Sequence, residues 1–195
     1  MTAMTAFQPV PLQYASRLIN HGPTVLVTSS DGRRRNVMAA AWSMPVEFTP
    51  PRIAIVIDKR TFTRELVAAS GSFGICIPGA AAIDMTYAVG SATGRDIDKF
   101  AQFGIAVITG PELGLPLIEA GCSAWMECRL IPEAHTEDAY DTCFGEVVAA
   151  AADPRVFVNG RWKFDAGNEA LHTIHHLGGG NFVRSSSTIV AKPIG

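Results

Sequence analysis

The sequence predicts a mainly β protein with peripheral helices, its strands closed into a barrel. Three observations carry that expectation. Turn chemistry sits between apolar runs: Val25-Leu26-Val27 leads to Asp31-Gly32, and Asn159-Gly160 separates Val156-Phe157-Val158 from Trp162-Lys163-Phe164. Strand-like runs over 36–44, 52–58, 73–77, 122–130, 140–151 and 182–190 outnumber the helical ones. No strand–helix series with a GxGxxG turn is present, so a dinucleotide-binding parallel sheet is not expected.

Taken in order, residues 11–20 put Leu12, Ala15, Leu18 and Ile19 on one helical face, and Asn20-His21-Gly22-Pro23 stops that helix. The run 36–44 carries small residues, an Asn and a Trp. Pro45, Pro50 and Pro51 bound a connection that a central strand would not tolerate. Ile53-Ala54-Ile55-Val56-Ile57 is continuously apolar, the pattern of a strand buried on both faces. Thr61 is suited to cap a helix through Ala69, and Gly71 to end it. Residues 80–89 read as helix, with Ile83 and Tyr87 four apart. The small-residue loop at 90–96 lacks the Gly-Lys-Ser/Thr ending of a triphosphate loop, and Asp98-Lys99-Phe100 opens a short helix. In 122–130 Cys122, Ala124, Met126, Cys128 and Leu130 alternate with Ser123, Trp125, Glu127 and Arg129. Gly145 suggests a bulge or a close approach within the next strand, which Ala152-Asp153-Pro154 terminates.

A chain of 195 residues with 48% apolar content fits one domain, 1–195, with a sizeable core. A net charge of -2 leaves no basic footprint for nucleic acid. Arg33-Arg34-Arg35 is the local exception, read as a solvated hairpin tip, with a phosphate contact as the alternative. No apolar run approaches the roughly 20 residues of a membrane helix. The start, MTAMTAFQPVPLQ, lacks a basic region and an apolar core, so no secretory signal is expected and the location is read as cytoplasmic. Cys76, Cys122, Cys128 and Cys143 form no CxxC and read as reduced core thiols. His172, His175 and His176 could share a helix face, but no HExxH-type motif completes a metal site, and no GxSxG nucleophile is present.

Several landmarks fall in one order: Asn36 and Trp42 six apart, Pro50-Pro51 before the apolar run, Thr61-x-Thr63, Gly71-Ser72-Phe73-Gly74-Ile75, Asp98-Lys99-Phe100, and Leu177-Gly178-Gly179-Gly180-Asn181-Phe182. In this order the chain resembles the flavin reductase-like family of FMN-binding split barrels, and its flavoredoxin branch. The resemblance implies a closed Greek-key-type split β-barrel, bound FMN, NADH or NADPH as reductant or a redox partner protein, and a homodimer. The positive mean hydropathy independently suggests apolar surface to hide. The cofactor set it implies is Asn36, Met38, Trp42, Ser43, Arg60, Thr61, Thr63, Lys99, His135 and Phe182, with no catalytic side chain and no metal. FMN needs hydroxyl, backbone N–H and cationic donors for its phosphate, donors along its ring edge, and an apolar surface under the ring. Thr61 and Thr63 with Lys59 or Arg60 suit the phosphate; Lys99 suits either the phosphate or the pyrimidine end of the ring. Each residue also has a plain reading: Thr61 as a cap, Trp42 and Phe182 as core aromatics, Lys99 as a surface lysine.

Many reductases of this family carry Gly-Asp-His before a strand like 140–151. Here Tyr140-Asp141-Thr142 keeps the Asp and lacks the His. The open functional readings are an NAD(P)H-dependent FMN oxidoreductase, a flavoredoxin-like electron carrier, and a non-catalytic flavin-binding module. An oxidase of a phosphorylated pyridine vitamer matches the ordered motifs less well.

Overall fold

A computed structural model describes residues 7–194. The strands are β1 Gln8–Pro9, β2 Val25–Ser30, β3 Arg35–Ala40, β4 Ser43–Phe48, β5 Pro51–Val56, β6 Ser72–Pro78, β7 Ile108–Thr109, β8 Pro116–Leu117, β9 Cys122–Ile131, β10 Thr142–Ala152, β11 Phe157–Val158, β12 Arg161–Trp162, β13 Ile174–Gly178 and β14 Asn181–Arg184. The helices are α1 Phe62–Ser70, α2 Ile83–Ser91, α3 Lys99–Gln102 and α4 Ala134–Tyr140, with a 3-10 helix at Leu12–Leu18. The reading against a leader rests in part on residues 1–6, which lie outside the described residues.

The main sheet is antiparallel, in the order β3-β2-β6-β9-β10-β5-β4, and β1 pairs with the far end of β10. The expected closed barrel is not formed: the sheet ends at β3 and β4, which follow one another in sequence without pairing. The reason is local. The chain leaves the ladder at Ala41-Trp42, and β4 packs on the Leu12–Leu18 helix instead of on β3. Pro45 and a register shift after it mark β4 as an edge strand, where a missing N–H is tolerated. The sheet still curls enough for Val27, Ile55, Ile75, Met126 and Val147, from five strands, to share one core, which Ala15 and Leu18 of the 3-10 helix and Ile19 just after it fill.

A second core lies on the outer face. Leu26, Cys76 and Trp125 of the sheet are covered there by Val89 of α2, Phe100 of α3 and the segment bearing Leu115, Leu117 and Ile118. This cover buries β9 on both faces as far as Cys128. Cys122 joins the second core while Ala124 joins the first, because the ladder shifts register between Ile77 and Pro78. Conversely β5, expected to be buried on both faces, is buried on one. Ile53, Ile55 and Ile57 are fully enclosed, but Arg52 is exposed and Ala54 and Val56 half-buried, because β5 lies next to the edge.

Several expectations hold. Thr61 caps α1, accepting from Arg64 N at 3.2 Å, and Gly71 ends it at φ 67°. Asn159 and Gly160 turn the β11–β12 hairpin with φ of 52° and 71°. Gly145 is a close approach: a Cβ there would lie 2.5 Å from the Phe73 ring. The 140–151 strand begins two residues later than expected, because Tyr140 closes α4. The 182–190 strand is shorter, stopping at Arg184. His175 and His176 lie on strand β13, not on a helix. His176 packs on Phe182, and the His175 ring bonds Gly22 O at 2.9 Å.

His21 is enclosed by Trp162, Phe164 and His175, with ring centroids 5.4, 6.4 and 5.8 Å away. Burial, reinforced by the neighbouring His175, lowers its pKa from 6.5 to about 4. The unfolded chain then binds more protons between those values, so stability should fall as pH drops from 6.5 towards 4, by about 1–3 kcal/mol. Urea unfolding at stepped pH measures this, and His21→Gln should remove that part of the acid limb.

Candidate functional site

Three concavities lie along β3. An inner cavity of about 280 Å³ is walled by β3 (Asn36, Met38), the start of α1 (Thr61, Thr63), the end of α2 and the loop after it, and Lys99. The local causes are legible. The Thr61 cap turns the chain so that Thr63 faces inward, fully buried. Gly94 brings the 92–95 loop against β3 so closely that a Cβ would lie 2.1 Å from Asn36 Oδ1. The Asp98 cap, accepting from Phe100 N and Ala101 N, starts α3 and points Lys99 inward.

The polar groups of this cavity are unusual for a closed core. Lys99 is only 3% exposed. Its Nζ donates to Val37 O at 2.8 Å and to Val89 O at 2.7 Å, with no carboxylate partner among the described residues. Burial lowers its pKa from 10.5 to about 8. Asn36, 2% exposed, donates from Nδ2 to Thr63 Oγ1 at 2.9 Å, and its Oδ1 has no hydrogen-bond partner among the described residues. A buried cation without an anion and a buried acceptor without a donor each cost free energy. Both become favourable when a ligand offers an acceptor to one and a donor to the other.

Two further concavities adjoin. Outward, across shared walls Phe62, Gly94 and Arg95, lies a cleft of about 550 Å³ lined by Arg33, Arg34 and Arg35. Along β3 the other way, across Ala39 and Gly90, lies a cavity of about 300 Å³ with small residues Ala39, Ala40 and Ala41 on one side and Tyr87, His176 and Phe182 on the other.

The structure therefore brings six of the ten expected site residues to one cavity: Asn36, Met38, Arg60, Thr61, Thr63 and Lys99. Phe182 lines the adjoining one. Trp42 and Ser43 line a separate concavity with Ala54 and Val56, and Trp42 is 75% exposed, because the break at Ala41 undoes the same-face parity with Asn36. His135 is on exposed α4, edge-on to Tyr140, and is not brought to this cavity. Arg60 lines the mouth, but its guanidinium pairs with Asp58 at 2.7 Å and holds that carboxyl down to about 2. The Thr61 hydroxyl is spent on the cap and on Asp58 O. Sequence reasoning missed Gly94, Arg95, Tyr87 and His176. The Gly90–Gly94 run of small residues was the available signal for a close-packed ligand wall.

The curled antiparallel sheet with peripheral helices and cavities along β3 defines a mainly β protein. Residues 17–164 match the model of the flavin reductase like domain, and the chain belongs to that family. It is similar over 96% of its length to a solved FMN-binding domain of a flavin reductases-like enzyme from Shewanella baltica, with 39% identity, 98% of that chain covered and a TM-score of 0.92. It is 61% identical over 190 residues to the uncharacterized protein YddH of Escherichia coli K12, covering 96% of this chain and all of that one. It shares its fold with the flavoredoxin of Desulfovibrio vulgaris, at 24% identity and a TM-score of 0.73 over 87% of this chain and 90% of that one. No helix among the described residues is long and apolar enough to cross a membrane.

Proposed function

We propose that the protein binds FMN along β3 and is an FMN-dependent oxidoreductase accepting hydride from NADH or NADPH. The observation that carries this is the mismatched polar pair in the inner cavity, Lys99 with no anion and Asn36 Oδ1 with no donor. When bound, FMN supplies the two-electron chemistry. The chain supplies position and electrostatics. Lys99 and Asn36 hold polar ligand atoms, while Ala39, Ala40, Ala41 and Gly90 leave room for a flat ring to approach the backbone. A single domain over 1–195, a cytoplasmic location consistent with four unpaired buried thiols, and no nucleic-acid or membrane partner belong to the same reading. The test is the visible spectrum of the purified protein, identification of any released chromophore, and anaerobic mixing with NADH and NADPH. A colourless protein that takes up no FMN would overturn it. Bound flavin that neither nucleotide bleaches would favour the electron-carrier reading, with a redox partner protein.

Hydride transfer between stacked rings requires positioning and no obligate acid–base side chain. The exposed positions of His135 and Trp42 agree with a modulating role at most. FMN-loaded His135→Ala and Trp42→Phe should therefore still bleach in a single turnover. Complete loss in either, with flavin bound, would show an essential chemical role.

A homodimer is part of the proposal. Trp42, Met44, Val46 and Phe48 expose apolar surface at β4, the strand that ends the sheet order. Light scattering should give twice the 20.8 kDa chain mass, and Phe48→Glu should shift it toward the monomer.

A further inference from the structure

The arginine run 33–35 has no part in that reading, although it lines the largest of the concavities along β3. We propose that the cleft walled by Arg33, Arg34, Arg35 and Arg95 is a phosphate-binding subsite. The inference rests on the FMN reading for the ligand's identity, but not for the chemistry of the cleft.

The inner cavity has donors of its own: the Lys99 ammonium has three hydrogens and two recorded acceptors, which leaves one to give, and the Thr63 hydroxyl accepts from Asn36 and keeps its hydrogen.

The outer cleft is walled by guanidinium groups. Arg34 stacks on the Phe62 ring at 4.9 Å and Arg35 on the Phe100 ring at 4.8 Å, and Arg95 lies 5.8 Å from Phe62. Their carboxylate partners, Asp31, Asp98 and Glu65, fix each guanidinium further. These bonds engage Nε and Nη2 of Arg34 and Arg35 and Nη2 of Arg95, and among the described residues the Nη1 hydrogens of all three have no recorded acceptor. Arg33 has no ion pair among the described residues, and Asp96 is the one further carboxylate on the wall. Because these four carboxylates match the four arginines in formal charge, recognition comes from pre-oriented N–H groups, the geometry that suits phosphate oxygens. Phe62, Gly94 and Arg95 wall both spaces, so one ligand can span them.

The phosphate can be that of the flavin itself or that of a nicotinamide dinucleotide, and calorimetric titration of wild type and an Arg33→Ala/Arg95→Ala double variant separates the two. If it is the flavin's, the variant should bind FMN at least 10-fold more weakly and riboflavin as before. If it is the dinucleotide's, FMN affinity should hold while NADH or NADPH binding to the FMN-loaded protein weakens at least 10-fold. Inorganic pyrophosphate should bind the wild type and lose affinity in the variant in either case. Asn36→Leu should weaken FMN and riboflavin alike and leave pyrophosphate binding unchanged. Unchanged affinity for all these phosphates in the double variant, or equal losses for FMN and riboflavin, would overturn the proposal. If the wild type binds no flavin at all, the FMN reading fails, and the pyrophosphate comparison alone decides the cleft.

Discussion

Replacing Lys99 with Met should weaken FMN binding about 10- to 100-fold while the ligand-free protein melts close to the wild type. A charge-assisted hydrogen bond to a ligand is worth about 1–3 kcal/mol, and this one would act inside a cavity where water competes poorly. In the empty protein the same ammonium is a liability, because burial lowers its pKa from 10.5 to about 8. Between those values the unfolded chain binds more protons than the folded one, so ligand-free stability should rise with pH through that window. Lys99→Met should abolish that rise. FMN affinity should show the converse, declining above pH 8, because a ligand that accepts from the Lys99 ammonium binds the protonated form more tightly. Thr63→Ala, which frees Asn36 Nδ2, should weaken binding by a smaller factor. Full FMN affinity in both variants would show that the inner cavity is not the flavin site.

The largest effect on stability is expected at Glu127. Its side chain is fully buried on β9, and its carboxylate accepts from Glu112 N at 2.8 Å, Leu113 N at 3.0 Å and Leu115 N at 3.3 Å. Gly110 lies so close that a Cβ there would meet Oε1 at 2.0 Å. One side chain thereby pins the segment that carries Leu115, Leu117 and Ile118 onto the outer core. Glu127→Ala removes the acceptor for three backbone donors at once and opens a cavity. At about 1–3 kcal/mol for each stranded buried donor, the loss should be about 3 kcal/mol or more. Glu127→Gln, which keeps one carbonyl oxygen, should lose less. Denaturant unfolding measures both, and a Glu127→Ala loss below about 1 kcal/mol would show that water replaces the carboxylate without cost.

Glu127 also shows where pattern reading stops. Alternation along 122–130 placed it opposite Met126 and Cys128, and for an alternating strand that side is normally solvent. A side chain's parity is a local property. What covers the second face is not, and here it is a segment of irregular backbone whose donors the carboxylate satisfies. The same limit applies at β5, where a continuous apolar run read as burial on both faces. The strand's place beside the edge of the sheet leaves one face half open.

What the sequence by itself determined were the features whose physics spans a few residues. Thr61 and Gly71 bound α1, Asp98 caps α3, Asn159-Gly160 turns a hairpin, and the order of short motifs was enough to indicate the family and to select Asn36, Thr63 and Lys99 together. Only the tertiary structure decided whether the sheet closes, because that depends on how Ala41-Trp42 bends the chain and on β4 packing on the 3-10 helix without pairing with β3. That bend also sent Trp42 to solvent while Asn36 stayed buried. Lys99 shows the same division at one residue. Its sequence neighbourhood fits a surface lysine equally well, and only the meeting of α2, α3 and β3 encloses the ammonium between two carbonyls and leaves it one hydrogen for a ligand.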